Sequence, residues 1–457
     1  MHGKNKTIFV SIPNITVYRN FCLFPGSVMD LLAREKDLRV VVLMKKVDLP
    51  RFRPRFGASN FIIETYDGDE TKNFLQRIFF FFFSYLIFTE TTKLISSYGV
   101  RADKPRPLVK YWNYPIKWVL GNILGKSKYL TEKLVPGLYF KIFNDRRFGQ
   151  FFDKYNPDLL FLPNVCIWPS DLEFLAEAKR RNIRTVGAPG NWDHLSKYFI
   201  PFKPDKLLVW ARQVKYEAMK YQNYGENTVK MVGAPQIDFM VKKENIISRS
   251  EFLKKIGFQP EDRIINFCSQ GPYSLDGADI VDMILKWIKK GEFGENVRVI
   301  IRPHPAAIFE KEKYRPFVGN PLVYIDAVDS WSSVPNVQNF LNVINHSDVL
   351  VTTYSSIATE ASILDRPTII ASFDGYKTRS IYQSVRRHKN FTHFQYLLPI
   401  GAISVAESAA ELLDFVKMYL NDPAKNMEKR KKMCHEVFGQ PDGKNAGRIL
   451  EEIKGFV

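Results

Sequence analysis

Cysteine is scarce in this chain: four in 457 residues, Cys22, Cys166, Cys268 and Cys434, each standing alone. That scatter excludes a disulfide-stapled fold and a thiolate metal cluster, and it fits a reducing compartment. Long hydrophobic runs are lacking too. The uncharged stretch from Ile78 to Phe88, with five consecutive phenylalanines, covers eleven residues, whereas a spanning helix needs roughly 20. The apolar run Ile8 to Ile12 is too short for a secretory signal, so a cytoplasmic protein is expected. Histidines are few and dispersed. His2, His346, His388, His393 and His435 have no metal-ligand spacing, and with no paired-acid motif of the Asp-x-Asp kind picked out, a metal-independent chemistry without a cofactor is expected.

Acidic residues are outnumbered 48 to 66 by lysine and arginine, leaving a formal charge of +18. A nucleic acid, an anionic membrane or a phosphorylated substrate could each answer to that excess. Its distribution favours the membrane. Between positions 104 and 147 the chain places Lys104, Arg106, Lys110, Lys117, Lys126, Lys128, Lys133, Lys141, Arg146 and Arg147 against only Glu132 and Asp145, with Trp112 and Trp118 among them. Basic heads and aromatic rings both find partners at a lipid interface. The reading is of a protein peripheral on the inner face of the membrane that does not bind nucleic acid; a buried phenylalanine helix beside a solvated basic face is the plainer alternative.

With 45% hydrophobic residues the chain can build two cores. Strand-like segments at 7–12, 38–43, 158–162, 184–188 and 206–209 alternate with helical stretches, and a helical, aromatic-basic insertion spans 71–152. A loop is expected from the first strand through Asn20 to Gly26, then a helix capped by Ser27. The second half repeats the alternation, with strands at 263–267, 297–301, 322–324, 349–352 and 367–370. Such alternation predicts parallel sheets covered on both faces. The expected domains are 1–235 and 236–425, followed by a helical segment, 426–457, that returns to the first. Ligands are expected in a central cleft, beyond the carboxyl ends of the strands.

Four loops carry candidate chemistry. The buried strand ending at Thr352 opens through Thr353, Tyr354, Ser355 and Ser356 into a helix, where hydroxyls and free amides suit a phosphate. Ser356 as N-cap would put Glu360 one turn in, within reach of ribose hydroxyls; an ordinary cap with an exposed glutamate is the alternative. Arg302 and His304, flanked by Pro303 and Pro305, end another strand on a stiff loop, placing cationic or donor groups at a diphosphate. Ser269 and Gln270 follow a third strand and would approach donor phosphate or base. Finally, Asp193 and His194 follow Trp192 in a first-domain loop, where either could take a proton from an acceptor hydroxyl.

These segments resemble the superfamily of CDP-glycerol:glycerophosphate glycerophosphotransferases and the capsule enzymes that use CMP-activated acidic sugars. The resemblance covers residues 155–450 and rests on five stretches in order: Trp192-Asp193-His194 with 204–210, Val232 to Asp238, Arg302 to Pro305, Thr353 to Ser356 with Leu364 to Pro367, and Phe438 to Lys444. It implies a GT-B fold, two doubly wound Rossmann-like domains, with a CMP/CDP- or UDP-type donor on the second and a lipid-linked or saccharide acceptor on the first. Those glycerophosphotransferases typically carry Trp-His-Gly where this chain has Trp192-Asp193-His194. The departure leaves the base open between Asp193 and His194 and favours a nucleotide-sugar donor over CDP-glycerol. Surface-polysaccharide glycosyl transfer is therefore the first expectation, and glycerophosphate transfer the second. A UDP-N-acetylglucosamine 2-epimerase-like enzyme and a non-enzymatic basic binding protein are further alternatives.

Overall fold

The computed structural model describes all residues except 1–5, 53–54, 69–72, 84–85, 105–113, 145, 166–168, 305–309 and 328–332. His2, Arg106, Lys110, Trp112, Asp145, Cys166 and Pro305 thus lie outside the described residues. The chain forms two compact units. One comprises Met1–Thr92, Trp112–Phe239 and Val437–Val457; the other comprises Lys93–Tyr111 and Met240–Glu436.

The first unit is built on a parallel sheet of seven strands: β1 (Lys6–Ile12), β2 (Leu38–Lys45), β3 (Phe61–Tyr66), β4 (Leu159–Leu162), β5 (Arg184–Gly187), β6 (Lys206–Val209) and β7 (Val229–Met231). Their order is β3-β2-β1-β4-β5-β6-β7. Ile8, Phe9, Val10 and all of β4 are completely buried, as strands covered by helices on both faces must be. In place of the loop expected before Gly26 there is a helix, Ile15–Phe21. Asn14 starts it, its side-chain oxygen accepting the N–H groups of Thr16 and Val17 at 2.8 and 3.0 Å, which satisfies two orphan donors of the first turn.

The second unit holds six parallel strands: β8 (Arg263–Cys268), β9 (Val297–Arg302), β10 (Val323–Ile325), β11 (Val349–Thr352), β12 (Thr368–Ala371) and β13 (Ile403–Ala406). They run in the order β10-β9-β8-β11-β12-β13. In both sheets the order reverses beside the first strand, the doubly wound arrangement with a switch point there. For the second sheet the switch lies between β8 and β11, whose register pairs Cys268 with Thr352.

Two boundaries differ from expectation. Residues Lys93–Tyr111 belong to the second unit, although the chain on either side belongs to the first: the Ala102 N–H donates to Pro272 O at 2.9 Å, and Val100 O accepts from Arg387 at 2.7 Å. At the far end, the return to the first unit begins at Val437. The last helix, Asn445–Lys454, starts on the Asp238 carboxylate, which accepts the N–H groups of Asn445 and Ala446 at 3.1 and 2.8 Å. Gly233, at φ +84°, leaves room for Asn445; a Cβ there would lie 1.9 Å from the Asn445 Oδ1. Two of the resemblance stretches, 232–238 and 438–444, also meet in space: the Ala234 N–H donates to Phe438 O at 3.0 Å.

The insertion is helical, with segments at Phe74–Phe83, Glu90–Tyr98, Tyr114–Asn122 and Val135–Ile142. Its phenylalanines divide between two environments. Phe79 and Phe83 are buried, and Phe79 meets Tyr139 and Phe143 edge-on at 5.8 and 5.7 Å. Phe74, Ile78 and Phe82, one helical turn apart, stay 76%, 37% and 46% exposed. No helix among the described residues is long and apolar enough to cross a membrane.

Candidate functional site

In the second unit, three strand ends bring most of the expected donor residues together. Parallel pairing places the exit of β9 beside that of β8, with Cys268 opposite Arg302, and β11 flanks β8 on the other side. From β8 the chain turns at Ser269 and Gln270. The Gln270 side chain bridges to the loop after β11: its Oε1 accepts from the Thr353 hydroxyl at 2.8 Å, and its Nε2 donates to Tyr354 O. Gly271 follows at φ +67°, and a Cβ there would stand 3.1 Å from the Cβ and Cγ of His304. His304 therefore packs directly on the loop that Gln270 fastens to the Thr353–Ser356 turn.

The structure sorts this set into two layers. Ser269, Gln270, Arg302, Thr353 and Tyr354 are buried. Ser269 donates to Glu310, Tyr354 to Ser372 at 2.8 Å, and Arg302 pairs with Asp326 inside the unit while lying 4.7 Å from the Phe340 ring centre. The expectation that Arg302 meets phosphate overlooks this partner; its charge is already neutralised. His304, Ser355, Ser356 and Glu360 are half-buried and form the accessible layer. Burial lowers the His304 pKa, Glu310 opposing and Arg302 assisting, which favours the neutral imidazole. Glu360 lies close enough to Cys268 that its charge, after burial itself, adds to a thiol pKa of about 12.

The chain after the turn is helical over Ile357–Leu364, the span expected, but only its first turn, Ile357–Glu360, is α-helical; Ala361–Leu364 is a 3-10 turn. Ser356 stands at its N-cap position with helical backbone angles and makes no side-chain cap. The Ser355 hydroxyl lies 3.1 Å from the Thr352 hydroxyl.

In the first unit, Asp193 and His194 follow β5. Asp193 is ion-paired with Lys197 one turn on, and the His194 Nε2 is 3.9 Å from the Asp193 Oδ1. Burial takes His194 down to about 4, with Asp193 opposing and Lys197 assisting. The imidazole is therefore neutral near pH 7, though a weaker proton acceptor than an ordinary histidine, whereas the Asp193 carboxyl is engaged by Lys197. Two neighbours have no counterpart among the sequence expectations. Glu217, 1% exposed, accepts from Gln213 Nε2 at 2.7 Å, and the same nitrogen donates to Trp192 O at 3.1 Å. Burial pushes the Glu217 carboxyl up to about 8, against the Gln213 and Ser196 hydrogen bonds. The i, i+4 spacing of Gln213 and Glu217 marks one helix face, but nothing in sequence links that face to Trp192.

The expectation of metal independence also passes over Asp67-Gly68-Asp69, an Asp-x-Asp triplet. Asp69 lies outside the described residues.

Residues 190–455 match the model of the CDP-Glycerol:Poly(glycerophosphate) glycerophosphotransferase family. The chain belongs to this family. It is 27% identical over 145 residues to the teichoic acid poly(ribitol-phosphate) polymerase of Bacillus spizizenii, a match that covers 31% of this chain and 21% of that protein's length. The chain thus spans about a fifth of the curated relative it matches. Among solved structures, a putative UDP-N-acetylglucosamine 2-epimerase from Listeria monocytogenes is similar at a TM-score of 0.57 and 12% identity, covering 98% of this chain and 96% of that one. The UDP-GlcNAc 2-epimerase of Neisseria meningitidis gives 0.56 and 11%, covering 98% and 100%. At such identity the likeness concerns the fold alone: two α/β units of GT-B type.

Proposed function

We propose that this protein is a transferase of cell-surface polymer assembly that takes a polyol phosphate from a CDP-linked donor and places it on an acceptor hydroxyl. Family membership moves the first reading from sugar to polyol phosphate. The observation that carries it is the joining of His304, Gln270 and the Thr353–Ser356 turn at the switch point of the second sheet, the place where doubly wound sheets bind nucleotides. The buried layer fixes the loops, and the half-buried hydroxyls and imidazole face the ligand.

The acceptor oxygen attacks the phosphorus that bears the polyol. The bond from that phosphorus to the bridging oxygen breaks, CMP leaves with the electron pair, and the acceptor proton passes to the base. His194 suits the base better than Asp193, because it is neutral and the aspartate is tied to Lys197. His304 and the Ser355 and Ser356 hydroxyls stabilise the departing phosphate, and positioning supplies much of the remaining rate.

Sugar transfer from a nucleotide-sugar is the second reading, favoured by Asp193 standing where the family's histidine is usual. The acceptor is membrane-linked on either reading. Support comes from the exposed Phe74, Ile78, Phe82, Trp118 and Ile123 on an insertion rich in lysine, a composition suited to an anionic inner leaflet. The test is CMP release from CDP-glycerol and CDP-ribitol compared with nucleotide release from CMP- and UDP-sugars, each with a lipid-linked acceptor. Release only from the sugar donors selects the second reading; interconversion of a UDP-sugar without acceptor overturns both.

A further inference from the structure

Among the described residues three arginines are buried, Arg302, Arg387 and Arg430. Two of them have carboxylate partners, Asp326 for Arg302 and Asp365 for Arg430. Arg387, 1% exposed, is paired with none among the described residues. It lies in the 3-10 helix Val385–Asn390. Its Nη2 donates to Val100 O at 2.7 Å, its Nη1 to Tyr382 O, and its Nε to the His388 Nε2 at 3.2 Å. Burial alone pulls its pKa down to about 10, which leaves it charged at neutral pH. Neutral acceptors satisfy its N–H groups and leave its charge uncompensated. A buried cation of that kind costs stability, and its field reaches further in a low-dielectric interior than in water.

Its position connects that field to the donor loops. His388 meets the Tyr354 ring edge-on at 6.4 Å, and Tyr354 O is the acceptor for Gln270. On its other side Arg387 holds Val100, two residues before Ala102, whose N–H donates to Pro272 O at 2.9 Å. One guanidinium thus ties Val100–Ala102, Tyr382 and, through His388, Tyr354 around the Gly271 loop, on which His304 packs.

We propose that Arg387 is a positioning residue for a nucleoside diphosphate at the Ser355–Ser356 turn, holding Val100–Ala102 against the Gly271–Tyr273 loop and supplying uncompensated positive charge behind the phosphates. The inference rests on the donor-site reading above. It also makes residues 100–102, contributed by the first half of the sequence, a wall of the donor site.

The test is calorimetric titration of CDP and of cytidine into the full-length wild type, Arg387→Met and Arg387→Lys, with thermal melts of each. Arg387→Met is expected to weaken CDP about tenfold while cytidine changes by less than about twofold, since only the diphosphate feels the lost charge. Arg387→Lys is expected to recover part of the loss. Equal weakening of both ligands reduces Arg387 to a packing role and overturns the proposal, as does CDP binding unchanged in Arg387→Met. Should Arg387→Met not fold, Arg387→Lys carries the test: retention of the CDP preference supports the proposal, and equal weakening of both ligands overturns it. A wild type that binds neither ligand overturns the donor reading, and this inference with it.

Discussion

The Thr353 hydroxyl donates to the Gln270 Oε1 at 2.8 Å across 83 positions of sequence, joining the loops that leave β8 and β11. Both side chains are buried, so the bond acts on the frame of the site and leaves the surface to Ser355, Ser356 and His304. Thr353→Val keeps the shape and removes the donor, leaving the Gln270 oxygen without it at a cost of about 1–3 kcal/mol. A lower melting temperature together with weaker CDP binding is expected; unchanged binding would detach this frame from the ligand.

Gly271→Ala tests the contact beneath His304. The glycine's positive φ and the 3.1 Å approach to the imidazole both oppose a Cβ. A loss of about 1–3 kcal/mol in stability is expected from such strain, and turnover is expected to fall as well, because the added Cβ displaces the His304 imidazole. Denaturant melts and CMP-release rates, measured on the same preparations, check both parts.

Arg302 and Asp326 give the opposite kind of prediction. Removing one member of a buried ion pair leaves the other uncompensated, at about 3–5 kcal/mol. Arg302→Ala is therefore expected to lower stability severely, and Arg302→Ala with Asp326→Ala to recover much of it. A variant that melts like the wild type yet fails to bind CDP would instead return Arg302 to direct phosphate contact.

Two buried groups beside Trp192 act on stability with opposite signs. Glu217 titrates near 4.5 when unfolded and at about 8 when folded, so the folded state binds more protons between those values and stability falls as pH rises through that window. His194 is lowered from 6.5 to about 4, so its contribution is present above 6.5 and is lost as pH falls toward 4. Glu217→Gln mimics the protonated acid and is expected to flatten the decline between pH 5 and 8, by an amount on the order of a few kcal/mol. Melts at closely spaced pH values check the slope.

The stripe of Phe74, Ile78 and Phe82 makes the membrane reading measurable. Phe74→Ser with Phe82→Ser removes two exposed rings that the fold does not bury, so the melting temperature is expected to hold while co-sedimentation with anionic vesicles drops severalfold. Equal sedimentation by wild type and variant would leave that face without a lipid role.

The strongly periodic parts of this fold were legible in sequence because burial imposed them. The strand at Val349–Thr352 is apolar, short and followed by hydroxyls, and it lies where expected. Unread in the sequence were β3, β7 and β13, of six, three and four residues, whose partial exposure blurs any apolar pattern. The site was legible as loops but not as layers. Arg302 reads as a free cation until β9 and β10 pair and bring Asp326 beside it, and Gln270 reads as a plain loop residue until β11 lies alongside β8. The docking of residues 100–102 within the second unit follows from the Arg387 guanidinium donating to Val100 O and from the Ala102 N–H donating to Pro272 O, partners that no local pattern announces.

Hydrogen–deuterium exchange of the full-length protein with and without CDP is the most direct measurement. The account predicts saturable protection concentrated in the loops after β8 and β11, at residues 269–274 and 353–357. Protection confined to the first unit, or none at saturating CMP, CDP, UDP and GDP, would contradict it.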